Sequence, residues 1–329
     1  MHELVRDLLP APALAPRLVR LPLDDGALIA AFAPRAEAPL WVAKTAYGAA
    51  ACLRLRAEAE ALGRLVALAH TLNLPRRLAW RECGDGPEIS ACLVQSTVAG
   101  TRRLWCWSSA RPWARLPPLL EAAADWLRRF QRLAQVDALG LAPLRLGELA
   151  EQTWLCLLSD RRLHPEWRPL LEALPALPRV APHLPTTATH GDFWVGNLLW
   201  QPPWRVGVVD WSGLSAGSAL DDLLTFTSNP PRRPAEPARP RLACWQAMWF
   251  SPGRPREFLR SWARDAGYSE GDARSAFYIF LFRRMRWELG LGLQTRSRDD
   301  RLQAAREWLA VVHWLAEHRF PDPFTPMPV

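Results

Sequence analysis

The sequence predicts an α+β protein with a small β-rich N-terminal lobe and a larger, mainly helical C-terminal lobe. Short β-prone runs separated by turns fill the first hundred residues, and helical periodicity prevails beyond them. The chain has 329 residues, 49% of them apolar, which is enough to bury two such units. We place the lobes at residues 1–98 and 99–329.

Composition excludes several classes of protein. The 18 glycines are spread irregularly among 31 prolines, which excludes a collagen repeat, and the apolar content excludes intrinsic disorder. No apolar run approaches the roughly eighteen residues of a membrane helix, so no membrane span is predicted. Glu3, Asp7 and two prolines occupy the place of a signal peptide's apolar stretch, so export is not expected.

Cysteine usage predicts a cytoplasmic protein. The six cysteines form no C-x-x-C pair and have no paired histidines nearby, so neither a zinc site nor a disulfide framework is expected. We expect buried, reduced thiols. The six are Cys52, Cys83, Cys92, Cys106, Cys156 and Cys244.

The basic residues point to one special cation. The net charge is 41 − 33 = +8, but the arginines are spread along the chain and form no stripe, so no nucleic-acid partner is predicted. Lys44 is the single lysine among the 41 basic residues. Because arginine serves wherever a generic cation suffices, the retained lysine marks a site for a compact point charge on a flexible stem, which suits a phosphate.

The N-terminal elements follow from short-range patterns. Apolar runs at 27–34 and 40–46 predict two strands, the first of them weakened by its alanines. Residues 51–70 predict an amphipathic helix. A hairpin is predicted around Gly84 to Gly86, and the lobe ends near residues 95–100. The helix places four leucines on one face: Leu55, Leu62, Leu65 and Leu68.

Six helices are predicted in the C-terminal lobe. The first spans about 115–136, with Pro117 and Pro118 in its first turn. A proline-rich stretch at 230–240 predicts an extended connector. The buried face of the first helix comprises Leu119, Ala123, Trp126, Leu127, Phe130 and Leu133. The other helices are expected near 146–158, 166–174, 255–265, 271–289 and 299–318.

One segment carries a constellation suited to phosphoryl transfer. His190, Asp192 and Asn197 form the pattern H-x-D-x-x-x-x-N, and a short apolar strand then ends at Asp210. Because the pattern is followed by two short strands, Asp192, Asn197 and Asp210 can converge. Mg²⁺ prefers such carboxylate and amide oxygens, and an aspartate free of metal can orient the proton of an attacking alcohol.

These residues resemble a known family. HGDFWVGN, followed by VVDW and a downstream DL, resembles the aminoglycoside phosphotransferase and choline kinase family, which are small-molecule kinases related to the protein kinases. The resemblance implies a two-lobed protein-kinase-like fold with a nucleotide-binding N-terminal lobe and a catalytic, substrate-binding C-terminal lobe. It also implies ATP and Mg²⁺ as cofactors and a small-molecule hydroxyl as acceptor. It covers nearly the whole chain, and its specific residues lie at 42–62 and 189–224.

The resemblance implies a role for each polar residue of the motif. Asp192 is the catalytic base or the group that orients the acceptor hydroxyl. Asn197 and Asp210 are the Mg²⁺ ligands. His190 and Asp222 support the loop through hydrogen bonds.

Lys44, in the run WVAK, resembles the strand lysine that contacts the nucleotide phosphates in this family. Glu58 on the following helix would orient it. Glu60 is the alternative, because RAEAEAL permits either residue and the two point in different directions on a helix.

Two departures from the family pattern keep a second interpretation open. Only Gly26 precedes Lys44, so there is no G-x-G-x-x-G turn, and Gly217-Ser218-Ala219 stands where the family often has Gly-Asp-Pro. The leading interpretation is an ATP- and Mg²⁺-dependent phosphotransferase, because the motif residues are all present. The alternative is a catalytically weak pseudokinase or nucleotide-binding scaffold.

The charge of the C-terminal helices bears on the acceptor. Arginines recur in RSWARDAGY, FRRMRWELG and QTRSRDDR, which disfavours polycationic aminoglycosides, although Glu288 could face the site. A sugar, a sugar derivative or an amino alcohol fits better. Four tryptophans could stack on a sugar, but core packing is expected for each. They are Trp211, Trp245, Trp249 and Trp287. The sequence carries no signal for an oligomeric state.

Overall fold

The computed structural model describes ten ranges of the chain. They are residues 15–23, 26–32, 40–84, 86–100, 112–143, 184–201, 205–228, 241–288, 298–318 and 321–325. Within these ranges every helix is too short or too polar to span a bilayer.

An antiparallel five-stranded sheet forms the N-terminal part, with strand order β1-β2-β3-β5-β4. Its strands are β1 (Ala15–Leu23), β2 (Gly26–Phe32), β3 (Trp41–Tyr47), β4 (Arg77–Cys83) and β5 (Ser90–Ser96). The two predicted strands and the hairpin are confirmed as β2, β3 and the β4–β5 pair. Strand β1 had not been predicted from the sequence. The central strand β3 places Lys44 between Leu28 of β2 and Leu93 of β5.

The amphipathic helix after β3 is shorter than predicted. Helix α1 (Ala49–Arg64) is followed by a 3₁₀ turn and by the short helix α2 (Ala69–Leu72). Leu55, Leu62 and Leu65 are buried as the leucine spacing predicted, whereas Leu68 lies on the separate turn and is only half-buried. Helix α1 is thus amphipathic: its outer face is polar, and its apolar face packs on β3 and β5.

Helices dominate the larger C-terminal part, as predicted. They are α3 (Pro112–Leu133), α4 (Asp221–Ser228), α5 (Arg241–Trp245), α6 (Arg254–Asp265), α7 (Glu270–Glu288) and α8 (Arg298–Glu317). A π-helical turn at Gln246–Phe250 continues α5. Two small antiparallel sheets complete it: β6 (Thr186–Thr189) with β9 (Ser215–Ser218), and β7 (Leu198–Gln201) with β8 (Arg205–Val208).

Two predictions for the first helix of this part were wrong in detail. Helix α3 begins at Pro112, so Pro117 and Pro118 lie in its second turn and not its first. Leu133 is 42% exposed although Phe130 and Ala134 beside it are buried, so it lies on the outer side of the last turn, whereas the other predicted core positions from Leu119 to Phe130 are buried. The helices predicted near 146–158 and 166–174 and the connector at 230–240 lie outside the described residues.

Buried aromatic rings fill the core of the C-terminal part. Trp126 stacks on Phe130, with ring centroids 5.3 Å apart, and on Phe193 at 5.5 Å. Trp211, Trp245 and Trp249 are at most 1% exposed, which confirms the expected core packing for these three; the side chain of Trp287 lies outside the described residues. Three cysteines, Cys52, Cys92 and Cys244, are buried free thiols as expected, and Cys83 is half-buried.

Candidate active site

The single lysine lies between two carboxylates. The ammonium of Lys44 is 2.7 Å from Oε1 and 2.9 Å from Oε2 of Glu58, and it also contacts Oδ1 of Asp210. The partner on helix α1 is therefore Glu58, which is 4% exposed, whereas Glu60 is on the exposed face of that helix. A strand, a helix and the segment after β8 thus meet at one cation.

The charge state of Lys44 follows from these neighbours. Burial lowers the pKa of an ammonium, but the carboxylates of Glu58 and Asp210 outweigh burial and raise the pKa of Lys44 to about 12. Lys44 is therefore a fixed positive charge at neutral pH. Glu58 also accepts a hydrogen bond from the backbone N–H of Trp211, which ties helix α1 to the residues that follow β8.

Asp210 has a left-handed backbone, with φ of 64°. Such a conformation is uncommon for a residue other than glycine, although aspartate tolerates it better than most. Hydrogen bonds on both sides fix it: Val209 N–H donates to the carbonyl of Asn197 at 3.0 Å, and the buried indole of Trp211 donates to the carbonyl of Val208 at 3.1 Å. The turn directs the Asp210 side chain, 37% exposed, towards Lys44.

Asp192 and Asn197 form a hydrogen-bonded unit beside this turn. The Asn197 amide nitrogen donates to the Asp192 carbonyl at 2.9 Å and to its carboxylate Oδ2 at 3.0 Å. Partial burial raises the pKa of the Asp192 carboxyl, and the charge of Arg284 on α7 and the bond from Asn197 oppose that rise. Because both donors of that amide face Asp192, the Asn197 amide oxygen is the atom that can serve as a ligand.

His190 is buried and neutral. Its Nδ1 accepts the backbone N–H of Asp192 at 3.2 Å, so Nε2 carries the proton and donates to the carbonyl of Val209 at 3.0 Å. Burial lowers the pKa of His190 to about 4, against the opposing bond to Val209. The ring therefore joins the loop of Asp192 to the strand that leads to Asp210.

Asp222, at the start of helix α4, anchors the same loop through its backbone. Its carboxylate accepts the backbone N–H groups of His190 at 2.7 Å and of Gly191 at 3.0 Å, and it is 0% exposed. Burial raises the pKa of Asp222 to about 7, although the two N–H donors favour the ionised form. These contacts are of the kind expected for a residue that supports the loop.

Two glycines allow the loops to approach closely, and the sequence reasoning did not single them out as functional. Gly191 has a φ of +82°, and a Cβ there would lie closer than 3.0 Å to the Gly213 carbonyl. Gly213 follows Asp210, so a side chain on Gly191 would separate the Asp192 loop from the Asp210 loop. The position of Gly191 inside the H-G-D motif was the signal that could have identified it.

A magnesium ion would find few protein ligands here. In the part of the chain that the structure describes, no group of three or more His, Cys, Asp and Glu residues could hold a metal ion. Asp210 and the Asn197 amide oxygen are carried by neighbouring strand ends joined by the bond from Val209 to Asn197. One carboxylate and one amide suit Mg²⁺, which usually takes one or two protein ligands and the rest from water and phosphate.

Sequence comparison identifies the family. Residues 17–258 match the profile of the phosphotransferase enzyme family. The chain belongs to this family. A search of curated protein sequences found no match.

Solved structures of aminoglycoside and macrolide phosphotransferases have the same fold as this chain. It is similar to an aminoglycoside 2'-phosphotransferase-IIIa in its GDP complex, with a TM-score of 0.60 and 13% identity over 97% of this chain and 98% of the other. It is also similar to a macrolide 2'-phosphotransferase from Brachybacterium faecium, with a TM-score of 0.54 and 18% identity over 90% and 91%. A third similar structure is an aminoglycoside-3'-phosphotransferase of type VIII, with a TM-score of 0.51 and 22% identity over 86% of this chain and 98% of the other. The predicted protein-kinase-like fold is thus confirmed.

Proposed function

We propose that this protein transfers the γ-phosphate of ATP to a hydroxyl of a small molecule in a Mg²⁺-dependent reaction. The observation that carries the proposal is the cation site in which Lys44 is held by Glu58 and Asp210, directly beside the hydrogen-bonded pair of Asp192 and Asn197. Family membership supports phosphoryl transfer, and the similar aminoglycoside 2'-phosphotransferase-IIIa structure is described as a GDP complex.

The nucleotide side of the site is assigned to Lys44 and Glu58. A buried ammonium with a fixed positive charge can neutralise phosphate oxygens, and Glu58 keeps it in place through two short hydrogen bonds. We assign residues 1–98 to the nucleotide-binding lobe and residues 99–329 to the catalytic and acceptor-binding lobe on the same grounds.

The acceptor side is assigned to Asp192. The acceptor oxygen forms a bond to the γ-phosphorus while the bond from that phosphorus to the bridging β,γ oxygen breaks and ADP leaves. The acceptor hydroxyl releases its proton to the Asp192 carboxylate, which Asn197 orients. His190 and Asp222 are positioning residues, because they contact the backbone of the loop and not its reacting carboxylate.

Asn197 and Asp210 are the residues that would hold Mg²⁺. The ion would neutralise charge on the phosphate oxygens when it is bound. Lys44, which pairs with Asp210, would lie beside that ion.

We favour a sugar, a sugar derivative or an amino alcohol over an aminoglycoside as the acceptor. Burial raises the pKa of the Asp192 carboxyl, and Arg284 on helix α7 lies close enough for its charge to oppose that rise, while the neighbouring Arg283 pairs with Asp221. Positive charge beside the hydroxyl-orienting group disfavours a polycation and accommodates a neutral or anionic molecule.

The test is phosphate transfer from ATP or GTP across a panel of sugars, amino alcohols, aminoglycosides and macrolides with Mg²⁺. We expect transfer to one acceptor class, its loss in Asp192→Asn with nucleotide binding retained, and weaker nucleotide binding in Lys44→Ala. Asp125→Asn, which changes an exposed aspartate of helix α3, is the matched control and should leave transfer unchanged.

The second candidate function is a catalytically inactive nucleotide-binding scaffold, favoured by the absence of a G-x-G-x-x-G turn before Lys44. It predicts Mg²⁺-dependent nucleotide binding that Lys44→Ala weakens, with no transfer to any acceptor and no effect of Asp192→Asn. Failure of the wild type to bind nucleotide would contradict both functions.

A further inference from the structure

One tryptophan differs from the buried ones. Trp194 lies between Asp192 and Asn197 in the motif and is 37% exposed, which makes it the most exposed of the tryptophans whose side chains the structure describes. Large apolar side chains at the surface are common singly, so exposure alone carries no functional meaning. Two further observations suggest a role for Trp194: its ring packs on the backbone of Gly196, and it lies beside Asp192.

One side of the Trp194 ring packs against a glycine. A Cβ built on Gly196 would lie closer than 3.0 Å to three carbons of the Trp194 six-membered ring, so the indole rests directly on the Gly196 backbone. The backbone is pinned as well, because Trp194 N–H donates to the Asp192 carbonyl at 3.1 Å and Asn197 N–H donates to the Trp194 carbonyl at 2.9 Å. An exposed ring fixed in this way loses little conformational freedom when it contacts a ligand.

The ring also lies beside the reacting group of the proposed mechanism. The indole N–H of Trp194 interacts with the Asp192 carboxylate and is among the contacts that stabilise its charged form. A molecule whose hydroxyl reaches the Asp192 carboxylate from this exposed side therefore lies within reach of the indole. A core aromatic such as Trp211, which is 0% exposed and packs against the ring of His190, has no such access.

We propose that Trp194 is the stacking platform for the acceptor and that the acceptor is a pyranose-type sugar. This inference rests on the proposed function. A sugar ring has one face of C–H bonds, which packs on an aromatic ring, and hydroxyls at its edge, one of which would face Asp192. An acyclic amino alcohol has no such face, and a polycationic ring would meet the positive charge of Arg284.

The choice of sugar over other flat ligands follows from the two chemistries present. The indole offers an apolar face, and Asp192 with Asn197 offers polar atoms at the edge of that face. A sugar ring needs both at once, because its faces are apolar and its rim is made of hydroxyls. The site therefore matches the amphipathic shape of a sugar ring.

The test separates the face of Trp194 from its N–H. Trp194→Phe keeps a ring and removes the donor, whereas Trp194→Gln keeps a donor and removes the ring. The probes are methyl glucoside, methyl galactoside and methyl mannoside, with acyclic glucitol and ethanolamine for comparison. Binding is measured by ligand-detected NMR in the presence of ADP and Mg²⁺, and KM and kcat are measured with ATP.

We expect at least one pyranoside to bind about tenfold or more tightly than glucitol. Its Kd and KM should rise about tenfold in Trp194→Gln and stay within about threefold of wild type in Trp194→Phe, with the KM for ATP unchanged in both. A loss of kcat in Trp194→Phe that Trp194→Gln does not share would overturn the proposal, because the N–H and not the face would then matter.

Gly196→Ala is an independent test that leaves Trp194 in the chain. Gly196 does not have a positive φ, so alanine introduces no backbone strain, but its Cβ must displace the indole. We expect Gly196→Ala to weaken pyranoside binding as Trp194→Gln does, and the double variant to be no weaker than either single one. Additive losses, or unchanged binding in Gly196→Ala with a native melting temperature, would count against the platform.

The outcomes distinguish this inference from the proposed function. Pyranoside binding that depends on Trp194 without any phosphate transfer would support the platform and contradict phosphotransfer. Phosphate transfer to glucitol or ethanolamine that is insensitive to both Trp194→Gln and Gly196→Ala would support phosphotransfer and overturn the platform.

Discussion

The two ends of the candidate active site differ in how they are built. At the Lys44 end, buried charges are paired: the ammonium contacts Glu58 and Asp210, and Glu58 is 4% exposed. At the Asp192 end, the carboxylate is half-buried and the adjacent Trp194 ring is open to solvent. The residues at the Lys44 end interact mainly with each other, whereas those at the Asp192 end are open to contact with a ligand.

This difference explains what a family motif can and cannot specify. Buried charges must be paired, so a change at the Lys44 end affects both stability and chemistry and leaves few allowed residues. An open surface beside Asp192 can change with little cost to the fold. Nucleotide chemistry is therefore readable from the motif, whereas the acceptor depends on residues such as Trp194 that the motif does not fix.

The largest effect is expected from breaking the buried end with Glu58→Gln. An uncharged amide cannot hold the ammonium as a carboxylate does, so Lys44 would be drawn towards Asp210 and away from the phosphates. Activity should fall about 100- to 1,000-fold, the scale of losing one preorganised charge contact. The measurement is kcat/KM with ATP.

Glu60→Gln is the matched control for this variant, because Glu60 is only two residues further along and lies on the exposed face of the same helix. It should retain wild-type kcat/KM. Equal losses in the two variants would mean that the helix as a whole, and not the pairing of Glu58 with Lys44, matters for activity.

The next largest effect is expected on stability, from a change at Asp222, which anchors the loop of Asp192. Asp222→Asn replaces a carboxylate that accepts two backbone N–H groups by an amide whose nitrogen must face one of them. We expect the free energy of unfolding to fall by about 3 kcal/mol, since a buried donor loses its acceptor. Denaturant unfolding measures the change, and a change below about 1 kcal/mol would show that the loop does not depend on Asp222.

Local patterns predicted much of the fold. The central strand around Lys44, the β4–β5 hairpin and the face of helix α3 follow from alternation and helical spacing. Strand β1 was missed because its pairing with β2 joins a run broken by prolines to one rich in alanine, and only the register of the sheet makes such runs strands. The β6–β9 pair was missed because its short strands are separated by the whole loop region of Asp192 and Asp210.

The site was predictable where chemistry restricts the residue type and not where exposure decides. The sequence motif identified Asp192, Asn197 and Asp210, and composition identified Lys44 as the single lysine. The tryptophans show the limit. Trp211, Trp245 and Trp249 were considered for stacking and are buried, whereas Trp194 was passed over because the sequence does not show which aromatic ring faces outwards.

A third prediction concerns pH and the link between the two ends. Burial holds the pKa of His190 at about 4 in the folded chain, against 6.5 for an ordinary histidine. Below pH 6.5 the unfolded chain therefore takes up a proton that the folded chain does not, and His190 makes the protein less stable by about 2 kcal/mol at pH 5. Asp222 acts in the opposite direction, because its raised pKa, about 7 against 3.8, favours the folded chain as the pH falls.

Because these two contributions oppose each other, wild type alone does not isolate either. In His190→Gln the contribution of His190 is absent, so we expect the variant to gain about 2 kcal/mol relative to wild type between pH 7.5 and pH 5. Denaturant unfolding at both pH values measures this gain. An unchanged difference between the two proteins would mean that His190 binds a proton in the folded state.

The smallest effect on stability is expected at the open end itself. Trp194→Phe keeps a ring on the Gly196 backbone, and the half-buried Asp192 carboxylate loses the indole N–H but keeps its bond from Asn197, so the free energy of unfolding should change by about 0.5 kcal/mol or less. Thermal and denaturant unfolding measure the change. A loss of several kcal/mol would show that Trp194 is part of the core and would remove the contrast between the two ends. A small change, together with an altered preference among acceptors, would show that the surface beside Asp192 can be rebuilt for a new acceptor while the paired charges around Lys44 remain unchanged.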